Sequence, residues 1–156
     1  MWNLRAAQQA DAAWIAELRA VVLFDDLTRL GRFDPVRVRE RFVTAFRPEH
    51  TLVIDSPTGV IGCIAVRPEG TDCWIEHFYV DRARQGQGIG GAVLRRLLAD
   101  AGSGTTFRLN VLRGSAAVRL YQRLGFVLDS SDEVDLFLVR QGVGPSETPG
   151  AASGTR

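Results

Sequence analysis

Trp74-Ile75-Glu76-His77-Phe78-Tyr79-Val80, then Gln85-Gly86-Gln87-Gly88-Ile89-Gly90-Gly91-Ala92-Val93-Leu94, carries a strand, a glycine loop and a helix in direct succession. The first seven residues are apolar and aromatic around Glu76 and His77, and they read as a strand. The glycine run then opens a helix whose apolar face is Ile89, Val93, Leu94 and Leu97. Four glycines in the six positions 86–91 let successive backbone N–H groups converge on one point. The helix N-terminus adds partial positive charge there, so the segment reads as a cradle for a phosphate or pyrophosphate. Gly86, Gly88 and Gly91 also fit the G-x-G-x-x-G pattern of dinucleotide sites. That pattern wants an acid at the end of the next strand to hold a ribose, and here the strand ends Val111-Leu112-Arg113.

Before this stretch, Trp2 to Ala6 reads as a short strand, and Asp11 as the cap of a helix whose apolar face is Trp14, Ile15, Leu18, Val21 and Val22. A polar stretch with Asp25 and Asp26 follows. Asp34-Pro35 starts a further helix, with Val38, Phe42 and Phe46 as its buried stripe. Strands are expected over Thr51–Asp55, Val60–Val66 and Thr106–Leu112. Ala117, Leu120, Tyr121 and Leu124 mark a short helix stopped by Gly125, and Phe126–Leu128 and Val134–Val139 close the order as two strands. The segments run β-α-α-β-β-β-α-β-α-β-β, a mixed α/β arrangement. Residues 1–140 form one domain in this reading, and the apolar-poor segment 141–156 is expected to be a flexible tail.

Composition removes several functions. The chain has 156 residues, 46% of them hydrophobic, and a net charge of +1, so no broad basic face for nucleic acid is expected. All 19 basic residues are Arg. Without Lys there is no Walker P-loop and no Schiff-base chemistry. Two Cys, Cys63 and Cys73, and two His, His50 and His77, do not make a zinc pattern, and no metal is expected. Both Cys read as free thiols on buried strands, which suits a reducing, cytoplasmic setting. No signal-peptide pattern and no long apolar run is seen, so no membrane association is expected.

Gln85-Gly86-Gln87-Gly88-Ile89-Gly90 fits a Q/R-x-x-G-x-G/A signature, and Leu120-Tyr121-Gln122-Arg123-Leu124-Gly125-Phe126 fits an L-Y-x-x-L-G-F segment. With Phe78-Tyr79-Val80-Asp81 as a strand exit before them, these motifs resemble the GCN5-related N-acetyltransferase (GNAT) superfamily. The resemblance covers about Leu4 to Arg140. It implies an acyl-CoA N-acyltransferase fold, a mixed and mostly antiparallel central sheet flanked by helices. It implies acetyl-CoA as acetyl donor and transfer to a primary amine of a small molecule or peptide by direct attack. The residues it places against the cofactor are Phe78, Tyr79, Val80, Gln85, Gly86, Gln87, Gly88, Ile89, Gly90, Gly91 and Tyr121. Many members carry Asn seven positions before the tyrosine. Here that place is Gly114, and Asn110 and Ser115 are the residues that stand in for it.

Acetyl transfer needs an acceptor for the amine proton, a donor for the carbonyl oxygen and a proton for the departing thiolate. The resemblance puts the Tyr121 hydroxyl near the sulfur as the acid. Glu76, a carboxylate expected to be partly desolvated in its apolar strand, is the candidate base. His77, expected on the opposite pleat, and water are its competitors. The carbonyl donor is expected to be a backbone N–H near Tyr79 or Val80, where the family splays its strands. The acceptor is expected over Leu23 to Phe33, where Asp25 and Asp26 would attract a cationic amine. Its identity stays open, as does assembly, a homodimer included. A non-catalytic acyl-CoA-binding or interaction module is the alternative.

Overall fold

The structure is a computed structural model that describes residues 1–143. The strands are β1 (Asn3–Ala6), β2 (Thr51–Ser56), β3 (Gly59–Glu69), β4 (Asp72–Val80), β5 (Thr106–Leu112), β6 (Val127–Ser131) and β7 (Asp135–Arg140). The helices are α1 (Ala12–Val22), α2 (Phe24–Arg29), α3 (Pro35–Ala45), α4 (Ile89–Asp100) and α5 (Ala117–Arg123). The sheet order is β1-β2-β3-β4-β5-β7-β6. Every neighbouring pair is antiparallel except β4 and β5. The mixed, mostly antiparallel sheet with flanking helices is therefore the architecture expected from the motifs.

The two faces of the sheet carry separate cores. Ile54, Ile64 and Ile75 pack with Val93 and Leu94 of α4 and with Tyr121 of α5. Val53, Cys63 and Tyr79 face the other way and pack with Ile15 of α1 and Phe42 of α3. The alternation of strand side chains sorts β2 and β3 between these layers, and both of their faces are buried at the centre of the sheet.

Local chemistry explains the elements. The Asp34 carboxylate accepts from the amides of Val36 at 3.0 Å and Arg37 at 2.9 Å, which caps α3 above its Pro35. Val38, Phe42 and Phe46 are buried as expected. The buried side of α1 is Ala12, Ile15, Ala16 and Ala20, and Val21 is exposed. Small alanines let α1 lie close to the sheet, so the contact face rotates away from Val21. Asp11 starts α1 but does not cap it. Its buried carboxylate pairs with both terminal nitrogens of Arg5 at 3.0 Å and takes the Trp14 indole N–H at 2.7 Å. The polar stretch after Val22 is the short helix α2, held by Phe24 set edge-on against Phe33 at 4.8 Å. Cys63 is buried, whereas Cys73 is only half-buried near the start of β4. Both are free thiols.

The first residues of the expected tail are bonded to the domain. The Gly142 amide donates to Thr106 Oγ1 at 3.0 Å, and the Val143 amide to the Ser103 carbonyl, so the first three residues of 141–156 bond to the rim of β5. The remainder, 144–156, lies outside the described residues. Among the described residues, no helix is long and apolar enough to cross a membrane.

Candidate active site

The site begins with a bulge. Cys63 faces Tyr79 and Ala65 faces Glu76, so two steps on β3 match three on β4. The extra residue is His77, whose φ of 47° lies in the left-handed region. Directly opposed residues share a face, so Glu76 and Tyr79 both lie on the face toward α1 and α3. His77 joins them there, its ring edge-on to Phe42 of α3 at 5.1 Å and its Nδ1 3.0 Å from the Tyr79 hydroxyl. The expectation that His77 occupies the pleat opposite Glu76 is thus overturned, because the bulge cancels the alternation that it rests on. Phe78 and Val80 turn to the α4 and α5 face.

The sheet opens just beyond. β4 and β5 pair only between Asp72–Trp74 and Thr106–Arg108, and from Ile75 onward they part. The Asp81 amide donates back to Ile61 of β3 at 2.8 Å. By the two-residue period of a strand, the Tyr79 amide also faces β3, and those of Phe78 and Val80 face the gap. The expected carbonyl donor near Tyr79 or Val80 is therefore narrowed to Val80, with Phe78 beside it.

The glycine loop lies at the end of this gap. Gly86 and Gly88 have φ of 78° and 79°, and a Cβ on either would meet no atom within 4 Å. Open space over a left-handed backbone is what a cradle for a bound group requires. The first helical bond of α4 runs from the Ala92 amide to the Gly88 carbonyl at 3.1 Å, and no side chain caps this helix. The amides of Ile89, Gly90 and Gly91 thus have no partner within the helix. The Gln85 side chain donates to the Val80 carbonyl at 2.9 Å, and that of Gln87 to Ala83 at 3.3 Å. Both glutamines brace the loop from within, and Gln87 stands outside the cavity wall. The residues present fit a pyrophosphate held by backbone amides.

A cavity of about 1440 Å³ joins these parts. Its wall includes Glu76, His77, Tyr79, the glycine loop from Gln85 to Gly91 except Gln87, and Tyr121. Tyr121 is buried on α5 with its ring 5.8 Å from Phe126. Its hydroxyl bonds to no side chain or backbone group among the described residues, and burial pushes its pKa up, so it keeps its proton at neutral pH. Glu76 is partly exposed and accepts from Arg67 Nη2 at 2.9 Å and Nε at 3.1 Å, both on Oε1. Its Oε2 has no hydrogen-bond partner among the described residues.

Sequence reasoning missed a buried relay beside Glu76. Arg19 Nε donates to the Tyr79 hydroxyl at 3.0 Å, and Arg19 Nη1 donates to the Val38 carbonyl. An Arg on the apolar side of α1 was the only signal. Arg has no acceptor, so the phenol oxygen must accept from it and pass its own proton to His77 Nδ1. Burial, then the Arg19 charge, push the His77 imidazole down to about 4.

The remaining candidates are engaged elsewhere. Asn110 borders the cavity but donates to Asp135 Oδ1 at 3.1 Å, and the Ser115 hydroxyl accepts from the Ala117 amide at 3.2 Å. At Gly114, φ is 78° and an added Cβ would sit 2.8 Å from Arg29 Nη2. An Arg29 guanidinium thus fills the space beside that position. Asp25 pairs with Arg82 at 3.1 Å and Asp26 with Arg29 at 2.7 Å. These are helix carboxylates already neutralised by Arg, not free attractors for a cationic amine. No group of three metal-ligating side chains occurs among the described residues.

Comparison with known proteins agrees with this geometry. A family profile described as an acetyltransferase (GNAT) domain matches residues 47–128. No curated protein matches the sequence significantly. The PaiA N-acetyltransferase of Thermoplasma acidophilum, solved with coenzyme A, superposes at a TM-score of 0.72 and 15% identity, over 90% of this chain and 99% of its own. The ribosomal-protein-S18-alanine N-acetyltransferase of Escherichia coli superposes at 0.71 and 16% identity, over 95% and 98%. An N-acetyltransferase of Staphylococcus aureus Mu50 gives 0.68 and 20% identity, over 88% and 99%.

Proposed function

Because this chain belongs to the GNAT acetyltransferase family, we propose that it transfers an acetyl group from acetyl-CoA to a primary amine by direct attack. The observation that carries this reading is the parting of β4 from β5. It lets an amide cradle on the α4 side and a carboxylate on the α1 side reach one gap.

When bound, acetyl-CoA supplies the acetyl group as a thioester. The amides of Gly88 to Gly91 hold its pyrophosphate at the N-terminus of α4. Phe78 and Val80 turn free amides toward the gap, and the Val80 N–H donates to the carbonyl oxygen as that oxygen gains charge. Glu76 Oε2 takes the proton that the amine loses, directly or through one water. As the new N–C bond forms and the C–S bond breaks, Tyr121 Oη gives its proton to the sulfur. His77 is not the base in this scheme, because its Nδ1 receives the Tyr79 proton and its Nε2 carries its own. Arg67 holds Glu76 Oε1 and so aims Oε2. Asn110 and Ser115 line the wall, tied to Asp135 and to the start of α5, with the Asn110 side-chain carbonyl and the Ser115 O–H left for the cofactor.

Thiol release from acetyl-CoA over a panel of amines tests this reading. Turnover with at least one amine is expected. A domain that only bound acyl-CoA would be stabilised by it against heat and release no thiol with any amine. Neither stabilisation nor turnover would end the assignment.

A further inference from the structure

The α1 and α3 side of the cavity carries guanidiniums that form no ion pair within 4 Å among the described residues. Arg37 and Arg41 stand four residues apart on α3 and both border the cavity, beside Val38. Neighbouring like charges at this spacing destabilise a helix. Neither makes an ion pair within 4 Å among the described residues, and the nearby Glu40 pairs with neither. Asp34 spends its carboxylate on the amides that start α3. By contrast Arg39, which does not border the cavity, is matched to Glu17 at 2.7 Å.

Arg19 is the second and independent observation. Its guanidinium is half-buried in the same wall, and its partners are the Tyr79 hydroxyl and the Val38 carbonyl, with no carboxylate within 4 Å among the described residues. A charge drawn out of water calls for an opposite charge. Phe42 ties these groups together. It follows Arg41 in α3 and packs on His77, which follows Glu76 in β4. Arg19, Arg37, Arg41 and Glu76 thus border one cavity.

Resting on the acetyltransfer reading, we infer that the acceptor is an amine that also carries a carboxylate, and that Arg37 and Arg41 receive this carboxylate with Arg19 behind them. Two planar forks four residues apart suit bidentate contacts to a carboxylate. Asp25 and Asp26, the acids of α2 on this wall, are each paired with an Arg.

The test compares glycine, methionine, phenylalanine and glutamate with their carboxamides, and with a linear polyamine, by thiol release from acetyl-CoA. Each amino acid is expected to exceed its amide at least about tenfold in kcat/KM, the size of one charge-assisted hydrogen bond. The double variant Arg37→Gln, Arg41→Gln should bring that ratio close to one by raising KM for the acid. KM for acetyl-CoA should hold, and Arg39→Gln should match the wild type. A preference for the amides or the polyamine, or a ratio that survives in the double variant, overturns the proposal. If no amine is turned over, the acetyltransfer reading fails and N-acetylglycine and N-acetylphenylalanine are titrated calorimetrically instead. Binding that the double variant loses upholds the anion site, and no binding overturns it.

Discussion

The hydroxyl of Tyr79 lies 3.0 Å from Nδ1 of His77 in the cavity wall. Arg19 donates to the same hydroxyl, so the direction of the bond is fixed and His77 sits in the fold as a neutral imidazole. A consequence follows for acid stability. An unfolded histidine titrates near about 6.5, and the folded one has been pushed down to about 4. Between these values the unfolded chain binds the extra proton. Stability is therefore full above the upper value and falls as pH drops toward the lower one. His77→Asn, with a residue that tolerates positive φ, should flatten this fall. Urea midpoints between pH 4 and 7 check it, and a variant as pH-sensitive as the wild type would show that folding leaves the titration of His77 unshifted.

The glycines of the loop are expected to divide. Gly88 caps α4 at a φ of 79° with open space above it. Gly88→Ala should strain the backbone by about 1 kcal/mol or more, put a methyl group in the cradle and weaken acetyl-CoA binding. Gly90 lies inside the helix, and its Cβ would make ordinary contacts with Phe78 Cζ at 3.5 Å and a Leu120 methyl at 3.6 Å. Gly90→Ala should therefore keep the cofactor and gain roughly 0.5–1 kcal/mol from reduced freedom of the unfolded chain. Thermal melts with and without acetyl-CoA separate the two, and equal ligand shifts in both variants would reduce the loop to a plain turn.

The strand and helix order, apart from the short α2 in a stretch read as polar, was legible because its signals are local. Asp34-Pro35, the glycine run and the alternation in β2 and β3 each act within a few residues. The bulge at His77 was not, because only the register against Cys63 and Ala65 reveals an extra residue. The charge partners were hidden for the same reason. Arg67 meets Glu76 across a strand pair, and Arg82 meets Asp25 from 57 positions away. Tyr121 and the glycine loop were legible as motifs, whereas Arg19 joins the site only through the packing of α1 on β4.

Truncation should also divide in two. Removal of everything after Val143 is expected to leave the melting temperature unchanged. Removal after Arg140 takes away the bonds from Gly142 to Thr106 and from Val143 to Ser103. It should lower stability by about 1 kcal/mol, since a typical hydrogen bond contributes roughly 0.5–1.5 kcal/mol. Calorimetric melts of both truncations decide, and identical melts would mean that residues 141–143 add nothing to the fold.

Acid and base should separate by their pH dependence. Tyr121→Phe keeps the ring against Phe126 and removes only the hydroxyl. If that hydroxyl protonates the departing sulfur, kcat should fall by about 10²–10⁴-fold with KM for acetyl-CoA little changed. Burial holds the Tyr121 pKa above its ordinary value, so the loss should be of similar size across the neutral range. Glu76→Gln keeps the shape and an oxygen for Arg67 but cannot take a proton. Its loss should be greatest near neutral pH and shrink at high pH, where the amine is already neutral. Arg67→Gln supplies a control, because it frees Glu76 Oε1 without removing the carboxylate. It should cost less than Glu76→Gln and leave the shape of the pH profile in place. A Glu76→Gln enzyme with the wild-type profile would pass the proton to water and leave Tyr121 as the only acid–base side chain in the mechanism.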